Sequence, residues 1–458
     1  MKATLWTKRL TSLARNSPAF LLAGWFLLLL AAGTVLLALP LTHQIGGPEV
    51  TWLAALFTAA SAFCVTGLTL VETPDAFNAC GQAVILTLIE LGGVGIMAFA
   101  ALAFSMMGRR LSLAGRAALS DTLFQNNPVL ELKAIFRSMF KAVFLIQAAG
   151  FILLYLALAG SPSTETPQPN PAWSALFHSV SAFCNAGFSI YRDNLTPLAG
   201  NRAFLSVIMV LVVLGGLGHG TLAELYRLPG ILVGKNRKPR LLSPNSRVVL
   251  IATAILLILG AAILVASDYW YGKPPQGAFA ALFHSVVSRT AGFNIADMGA
   301  IPLPSCLLLC ILMFVGGSPG SCAGGIKTTS TAIWLARIAA NLRQSTDVTV
   351  LRYSLPQDLV SKSRIIIALS TLWVVFGVTF LACCEPGIGL DRLLFEQVSA
   401  FATSGLSMGL TPHLNRLSQL WIILSMIMGK FGPLTVALWM VAPTQRRIRH
   451  PEGRLMIG

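Results

Sequence analysis

The chain is predicted to be an all-α integral membrane protein of four tandem helix–pore loop–helix units, with eight transmembrane helices in pseudo-fourfold symmetry around one pore. Three observations predict this. Long stretches carry no charge, basic and acidic connections alternate along the chain, and one short segment recurs four times.

Hydrophobic residues make up 55% of the 458 positions and charged residues 11%, with a mean hydropathy of +0.73. A soluble chain of this length needs far more charge to cover its surface. Uncharged runs such as Ala19–Leu39 and Val248–Ser267 have the roughly 20 residues that a helix needs to cross the hydrocarbon core. The first run is too long for a signal-peptide core and has no convincing small-residue cleavage site, so it is expected to be a mature span.

The formal net charge of +16 is distributed by topology. The N-terminus (Lys2, Lys8, Arg9, Arg15) and the segments Arg109–Lys141, Arg227–Arg247, Arg337–Arg364 and Arg446–Arg454 hold 25 of the 33 Lys and Arg. The connections between them are acidic or mixed, with Glu49, Glu72, Asp75, Glu165, Asp268, Asp297 and Glu385. This is the positive-inside pattern, and it predicts both termini in the cytoplasm. No nucleic-acid partner is expected; membrane lipid is. The eight cysteines have no zinc-type spacing and read as small apolar filler.

The repeated segment is ALFTAASAFCVTGLT at Ala55–Thr69, ALFHSVSAFCNAGFS at Ala175–Ser189, ALFHSVVSRTAGFN at Ala281–Asn294 and LLFEQVSAFATSGLS at Leu393–Ser407. Each copy ends on a glycine (Gly67, Gly187, Gly292, Gly405) followed by a hydrophobe and a small polar residue. Repetition at this scale marks tandem structural units. The predicted boundaries are 1–108, 109–228, 229–341 with a broken second helix, and 342–458 with a cytoplasmic C-terminus. A full span precedes each copy: Ala19–Leu39, Phe140–Ala159, Val248–Ser267 and Ile365–Cys383. A second span follows, beginning near Gly81, Phe204, Pro304 and Leu417. The segment itself has about ten helical residues before its glycine, too few to cross, so it enters and returns on the extracellular side.

Non-helical backbone at membrane depth is tolerated where it is buried in protein or lines a watery cavity. Four such loops are expected to converge on one axis, with the negative ends of their helices turned towards it. Glycine allows the backbone to turn carbonyls inward, and a carbonyl ring replaces the hydration shell of a potassium ion. The expected filter is Val65, Thr66 and Gly67; Asn185, Ala186 and Gly187; Thr290, Ala291 and Gly292; and Thr403, Ser404 and Gly405.

The second spans carry their own glycine repeat at Gly92–Gly95, Gly215–Gly218, Gly316–Gly320 and Gly429–Gly432. For the first two, close helix packing is as good a reading as any. The third unit's second span is interrupted by GGSPGSCAGGIKTT, Gly316–Thr329. Its proline and five glycines cannot hold a helix. Gly316, Gly317, Ser318, Pro319, Gly320, Gly324, Gly325 and Lys327 are therefore expected to form a mobile gate loop, although Lys327 could equally snorkel to the interface. A phosphate loop is excluded because Lys327 follows Ile326 and no Gly-Lys-Ser/Thr order exists.

The motifs Arg289-Thr-Ala-Gly-Phe-Asn294, Gly316-Gly-Ser-Pro-Gly320, Ala323-Gly-Gly-Ile-Lys-Thr-Thr329 and Gly432-Pro-Leu-Thr435 resemble the Trk/Ktr/HKT superfamily of potassium transporters over nearly the whole chain. The absence of extra N-terminal spans and the ending His450-Pro-Glu-Gly-Arg-Leu-Met-Ile-Gly458 are similar to its KtrB branch more than to TrkH. The resemblance implies potassium uptake by a homodimer in the bacterial inner membrane. It also implies regulation by a cytosolic nucleotide-binding ring (KtrA- or TrkA-like), sodium as an activator, and no cofactor bound by this chain. In plant-type relatives a serine at the first filter glycine goes with sodium preference; Gly67 favours potassium. Lys430 stands where the family usually has arginine and is expected to act as a positive barrier below the filter. Lysine keeps the charge and loses the planar fork.

Arg289 and Glu396 should not be left unpaired at membrane depth and are expected to pair with each other, bracing the filter. Glu90 is expected in an interhelical or dimer hydrogen bond or in an ion role. His178 and His284 hold one repeated position at the start of a pore helix. The short cytoplasmic segments have no room for a nucleotide domain, so regulation must come from another chain. No catalytic constellation is visible, so no enzyme activity is expected. Two alternatives are a sodium-coupled or sodium-conducting transporter of the same superfamily and a multi-pass membrane enzyme. The enzyme would need clustered carboxylates or histidines at one interface, and the sequence has none.

Overall fold

The computed structural model describes residues 18–93, 95, 132–160, 169–232, 242–271, 277–351 and 353–432. The basic N-terminus, most of the basic segment before Lys141, residues 233–241, the Pro433–Thr435 part of the last motif and the C-terminal ending lie outside them.

The regular secondary structure of the described chain is helical apart from one hairpin, β1 (Thr349–Val350) and β2 (Tyr353–Ser354), paired antiparallel. Four long helices open the successive units: α1 (Pro18–Ala38), α4 (Leu132–Ala159), α8 (Pro244–Trp270) and α12 (Gln357–Cys384). They match the expected first spans, and each begins earlier than expected, by one residue for α1 and by four to eight for the others. Local chemistry explains α8, whose start has Pro244 in the first turn and Ser243 as N-cap, its hydroxyl accepting from the Ser246 N–H. The apolar windows of α4, α8 and α12 are only 22–28% buried. Their outward faces, Ile258, Leu259, Leu372 and Phe376 among them, are exposed apolar surface, which suits lipid and not water.

Four short helices follow: α2 (Trp52–Cys64), α5 (Pro171–Cys184), α9 (Gly277–Val287) and α13 (Leu390–Ala402). In contrast to the long helices they are buried almost throughout; Phe57, Phe177, Phe283 and Phe395, one repeated position, are all fully buried. They pack between the long helix before and the helix after, so the core lies at the centre of the molecule.

The following helices are α3 (Ala79–Gly93), α6 (Arg202–Gly216), α10 (Leu303–Phe314) and α14 (Arg416–Phe431). At about 1.5 Å per residue their 12 to 16 residues fall short of the roughly 30 Å hydrocarbon core. Each stops at its glycine motif. In the second unit the chain bends by 108° into α7 (His219–Leu232), with Gly218 at φ 81°. In the third it resumes as α11 (Thr328–Leu342) after the expected interruption. The Gly215–Gly218 motif is thus a break in the helix as well as a packing surface. Among the described residues three helices are long and apolar enough to cross a membrane alone, and a fourth meets that test only if the bent pair counts as one span.

Candidate functional site

The short helices end in a common way. The residues after α2, α5 and α13 are left-handed: Val65 (φ 59°), Asn185 (φ 61°) and Thr403 (φ 50°), with Thr290 at φ 89° in the third unit. Left-handed backbone is an outlier for β-branched residues such as Val and Thr, and such strain, about 1–3 kcal/mol each, gathers at functional sites. The next N–H turns back into the helix: Thr66 to Ser61, Ala186 to Ser181 and Ser404 to Ser399. Each bond spans five residues. In the third unit Ala291 bonds Val287, four back. The residue missing from the third repeat is therefore taken out of the helix's last turn, and the loop after it keeps its place.

The four repeat glycines, Gly67, Gly187, Gly292 and Gly405, are mutual neighbours in a closed ring. A Cβ on Gly67 would overlap the Ala186 carbonyl and lie 3.2 Å from the Gly187 Cα; one on Gly187 would meet the Ala291 carbonyl and the Gly292 Cα at 3.0 Å. A Cβ on Gly292 would overlap the Ser404 carbonyl, and one on Gly405 the Thr66 carbonyl, which closes the circuit. All four have positive φ, from 67° to 96°. Glycine is needed here twice, for backbone angle and for space. Side-chain bonds tie the loops together: the Ser404 hydroxyl donates to the Ser288 carbonyl at 2.9 Å, and Asn185 and Thr290 are bonded at 3.1 Å.

The interruption between α10 and α11 lies against this ring. Val315 and Ile326 form a parallel bridge across its base. Ser318 N–H donates to the Gly216 carbonyl at 3.0 Å, and His219 N–H to Gly320 at 3.1 Å. A Cβ on Gly218 would meet the Pro319 carbonyl, one on Gly317 the Ala323 side chain, and one on Gly324 the Thr403 side chain; Gly325 packs against Ala402. The loop thus touches the second unit's bend on one side and the fourth filter segment on the other. Two cations from elsewhere hold its carbonyls: Arg289 donates to Gly316 at 3.2 Å and Lys430 to Cys322 at 2.9 Å. Lys327 donates to Ala323 within the loop and does not snorkel away.

The expected Arg289–Glu396 pair does not form. Arg289 reaches the break in the third unit's second helix. Glu396 accepts from Ser407 at 3.1 Å and from Thr411, on the loop after the fourth filter glycine. Its oxygens are satisfied within its own unit, so the arginine is not needed to offset its burial. Each residue holds a separate segment near the glycine ring.

Glu90 takes the interhelical option: Gln147 donates to it at 2.8 Å and the Cys184 thiol at 3.4 Å. The repeated position of His178 and His284 is also that of Thr58 and Glu396. His178 bonds Ser189 at 3.0 Å, as Glu396 bonds Ser407, each pairing with the polar residue two after its filter glycine. The sequence reading saw that small polar residue in every copy and missed its partner. Asn194 escaped it entirely, because it lies outside the repeated segment.

A profile of the TrkH family, described as cation transport protein, matches residues 27–450. The chain is 33% identical to the Ktr system potassium uptake protein B of Bacillus subtilis over 99% of this chain and 100% of that one. It is 31% identical to the potassium/sodium uptake protein NtpJ of Enterococcus hirae over 99% and 100% of the two chains. The crystal structure of the potassium transporter TrkH from Vibrio parahaemolyticus superposes with a TM-score of 0.71 at 19% identity, over 93% of this chain and 85% of that one. Buried pore-type helices, lipid-suited outer faces and these matches agree: the chain belongs to the TrkH family of cation transport proteins, which are membrane transporters and not enzymes.

Proposed function

We propose that the chain carries out potassium uptake through one pore at the centre of four span–pore–span units, 1–108, 109–228, 229–341 and 342–458, with eight crossings in all. The observation that carries this reading is the closed ring of Gly67, Gly187, Gly292 and Gly405, each crowded against the carbonyl before the next. Backbone carbonyls of residues 65–67, 185–187, 290–292 and 403–405 take over the hydration shell of the dehydrated ion. The negative ends of α2, α5, α9 and α13, which run straight into those residues, favour a cation. The Gly316–Lys327 loop is the gate, and the Lys430 charge, which ties that loop down, is the barrier beneath the filter.

Two relatives are named as components of a Ktr system, which supports an assembly with other subunits; our reading of that assembly is a homodimer in a bacterial inner membrane, both termini cytoplasmic, regulated by a separate nucleotide-binding ring. Sodium is the second ion to weigh, because the Enterococcus relative is named a potassium/sodium uptake protein.

The test is rubidium and sodium flux into proteoliposomes for Gly67→Ser and Gly405→Ser. Both variants should lose rubidium preference or rate. Unchanged preference and rate in both would remove the filter assignment.

A further inference from the structure

We infer that Asn194 is a positioning residue that sets ion selectivity by acting on one filter carbonyl. The inference rests on the filter reading above.

Asn194 lies seven residues beyond Gly187, in a turn where it and Asp193 are both left-handed (φ 62° and 53°). Asn tolerates that backbone better than most residues. The turn aims its side chain back at the ring. The Asn194 Nδ2 donates to the Gly187 carbonyl at 3.0 Å. Its Oδ1 accepts from the Asn294 N–H at 3.4 Å, two residues after Gly292. The next residue completes the link, with Leu195 N–H donating to the Asn294 carbonyl at 3.1 Å. One amide therefore grips the second filter glycine and the third filter loop together. The turn is itself held, since the Ser189 hydroxyl donates to the Asn194 carbonyl at 3.0 Å and His178 bonds that same hydroxyl.

Among the described residues, no side-chain donor is bonded to the carbonyl of Gly67, Gly292 or Gly405, so the ring is chemically unequal at Gly187. A carbonyl oxygen has two lone pairs. With one engaged by an amide N–H, the Gly187 oxygen offers a passing ion a weaker field and a fixed direction. Selectivity between potassium and sodium depends on the number, field strength and freedom of such oxygens. A weaker, restrained oxygen repays the dehydration of sodium less well than that of the larger ion. Releasing it should raise sodium permeation relative to rubidium.

The experiment measures both fluxes in proteoliposomes holding the full-length protein, for Asn194→Ala and Asn194→Asp. Asn194→Asp keeps the acceptor for Asn294 and lacks the donor, and it serves alone if Asn194→Ala does not fold. The sodium-to-rubidium ratio is expected to rise by about fivefold, the factor to which the net energy of a neutral hydrogen bond converts. If both fluxes fall together at an unchanged ratio, Asn194 merely holds the loop and the inference is overturned. Gly187→Ser is run beside them. A changed ratio there with an unchanged ratio in the Asn194 variants sinks this inference alone, whereas no change in any of the three sinks the filter reading as well.

Discussion

Lys430, at the end of α14, donates its ammonium to the carbonyl of Cys322, 108 residues earlier in the chain, at 2.9 Å. The bond ties the fourth unit to the interruption in the third. With the Arg289 bond to Gly316, it gives the loop two restraints, both on backbone carbonyls, so neither depends on the loop's side chains.

Removing the first restraint should loosen this loop, the proposed gate. A hydrogen bond to a charged group contributes about 1.5–3 kcal/mol, so Lys430→Ala should raise rubidium flux roughly tenfold in proteoliposomes without any regulator. Lys430→Arg should stay near the parent, because the donor and charge persist. A flux in Lys430→Ala at or below the parent would count against the tie as a brake.

Gly429, Gly215 and Gly92 seat α14, α6 and α3 on the ends of the short buried helices. A Cβ there would overlap the carbonyl of Phe401, Phe183 or Phe63 respectively. Alanine at Gly429 or Gly215 should cost about 1–3 kcal/mol through overpacking, read as a lower melting temperature in detergent. Gly24→Ala, with nothing within 4 Å of its Cβ, should not lower it. Equal melting temperatures across the three would refute the close seating.

Glu396 fastens the loop after Gly405 through Ser407 and Thr411. Glu396→Ala leaves two hydroxyls short of a buried acceptor and should lower the melting temperature and relax ion discrimination. Glu396→Gln should do less, since one oxygen remains to accept. Because the carboxylate does not pair with Arg289, the double swap Arg289→Glu with Glu396→Arg should not restore what the single changes lose; recovery of flux by the swap would revive the pair.

Glu72, in the loop before Thr73–Ala76, has its carboxyl pushed up from the ordinary value, first by partial burial and then by the Asp193 and Asp75 carboxylates. The folded state then binds the proton more tightly than the unfolded one, so this group favours folding at low pH. That contribution falls away as pH rises from the unfolded value through the raised folded one. The residue as a whole is solvent-exposed, so the effect is small. Glu72→Gln should melt slightly higher than the parent at neutral pH and lose that margin near about pH 4. A margin that grows on acidification would contradict the sign.

Much of the architecture was legible in one dimension. Apolar length foretold the long helices and their C-terminal ends to within three residues, with Ala19–Leu39 appearing as Pro18–Ala38, whereas the second and fourth begin eight residues earlier than their uncharged runs. The fourfold ALF…G segment foretold the four short helices and a glycine turn after each, because a glycine turn is local chemistry; the left-handed residues at their ends were not foreseen. The run Gly316–Thr329 foretold the break before α11 for the same reason. The Gly215–Gly218 motif looked alike whether it packed or bent, and the 108° turn came from what it meets: Gly218 lies against Pro319 and Ser318 bonds Gly216. Arg289 and Glu396 looked like partners only because opposite charges at membrane depth invite pairing.

Span length and composition therefore sufficed to place the chain among membrane proteins, and repetition to propose its units, since each is a property of neighbouring residues along the chain. Which carbonyl each filter glycine crowds, what Arg289 and Lys430 hold, and how Asn194 reaches Gly187 and Asn294 follow from the order of the units around the ring. Those contacts join segments far apart in the chain, and their chemistry (a single donor meeting a single oxygen) leaves no periodic trace in the residues that make them.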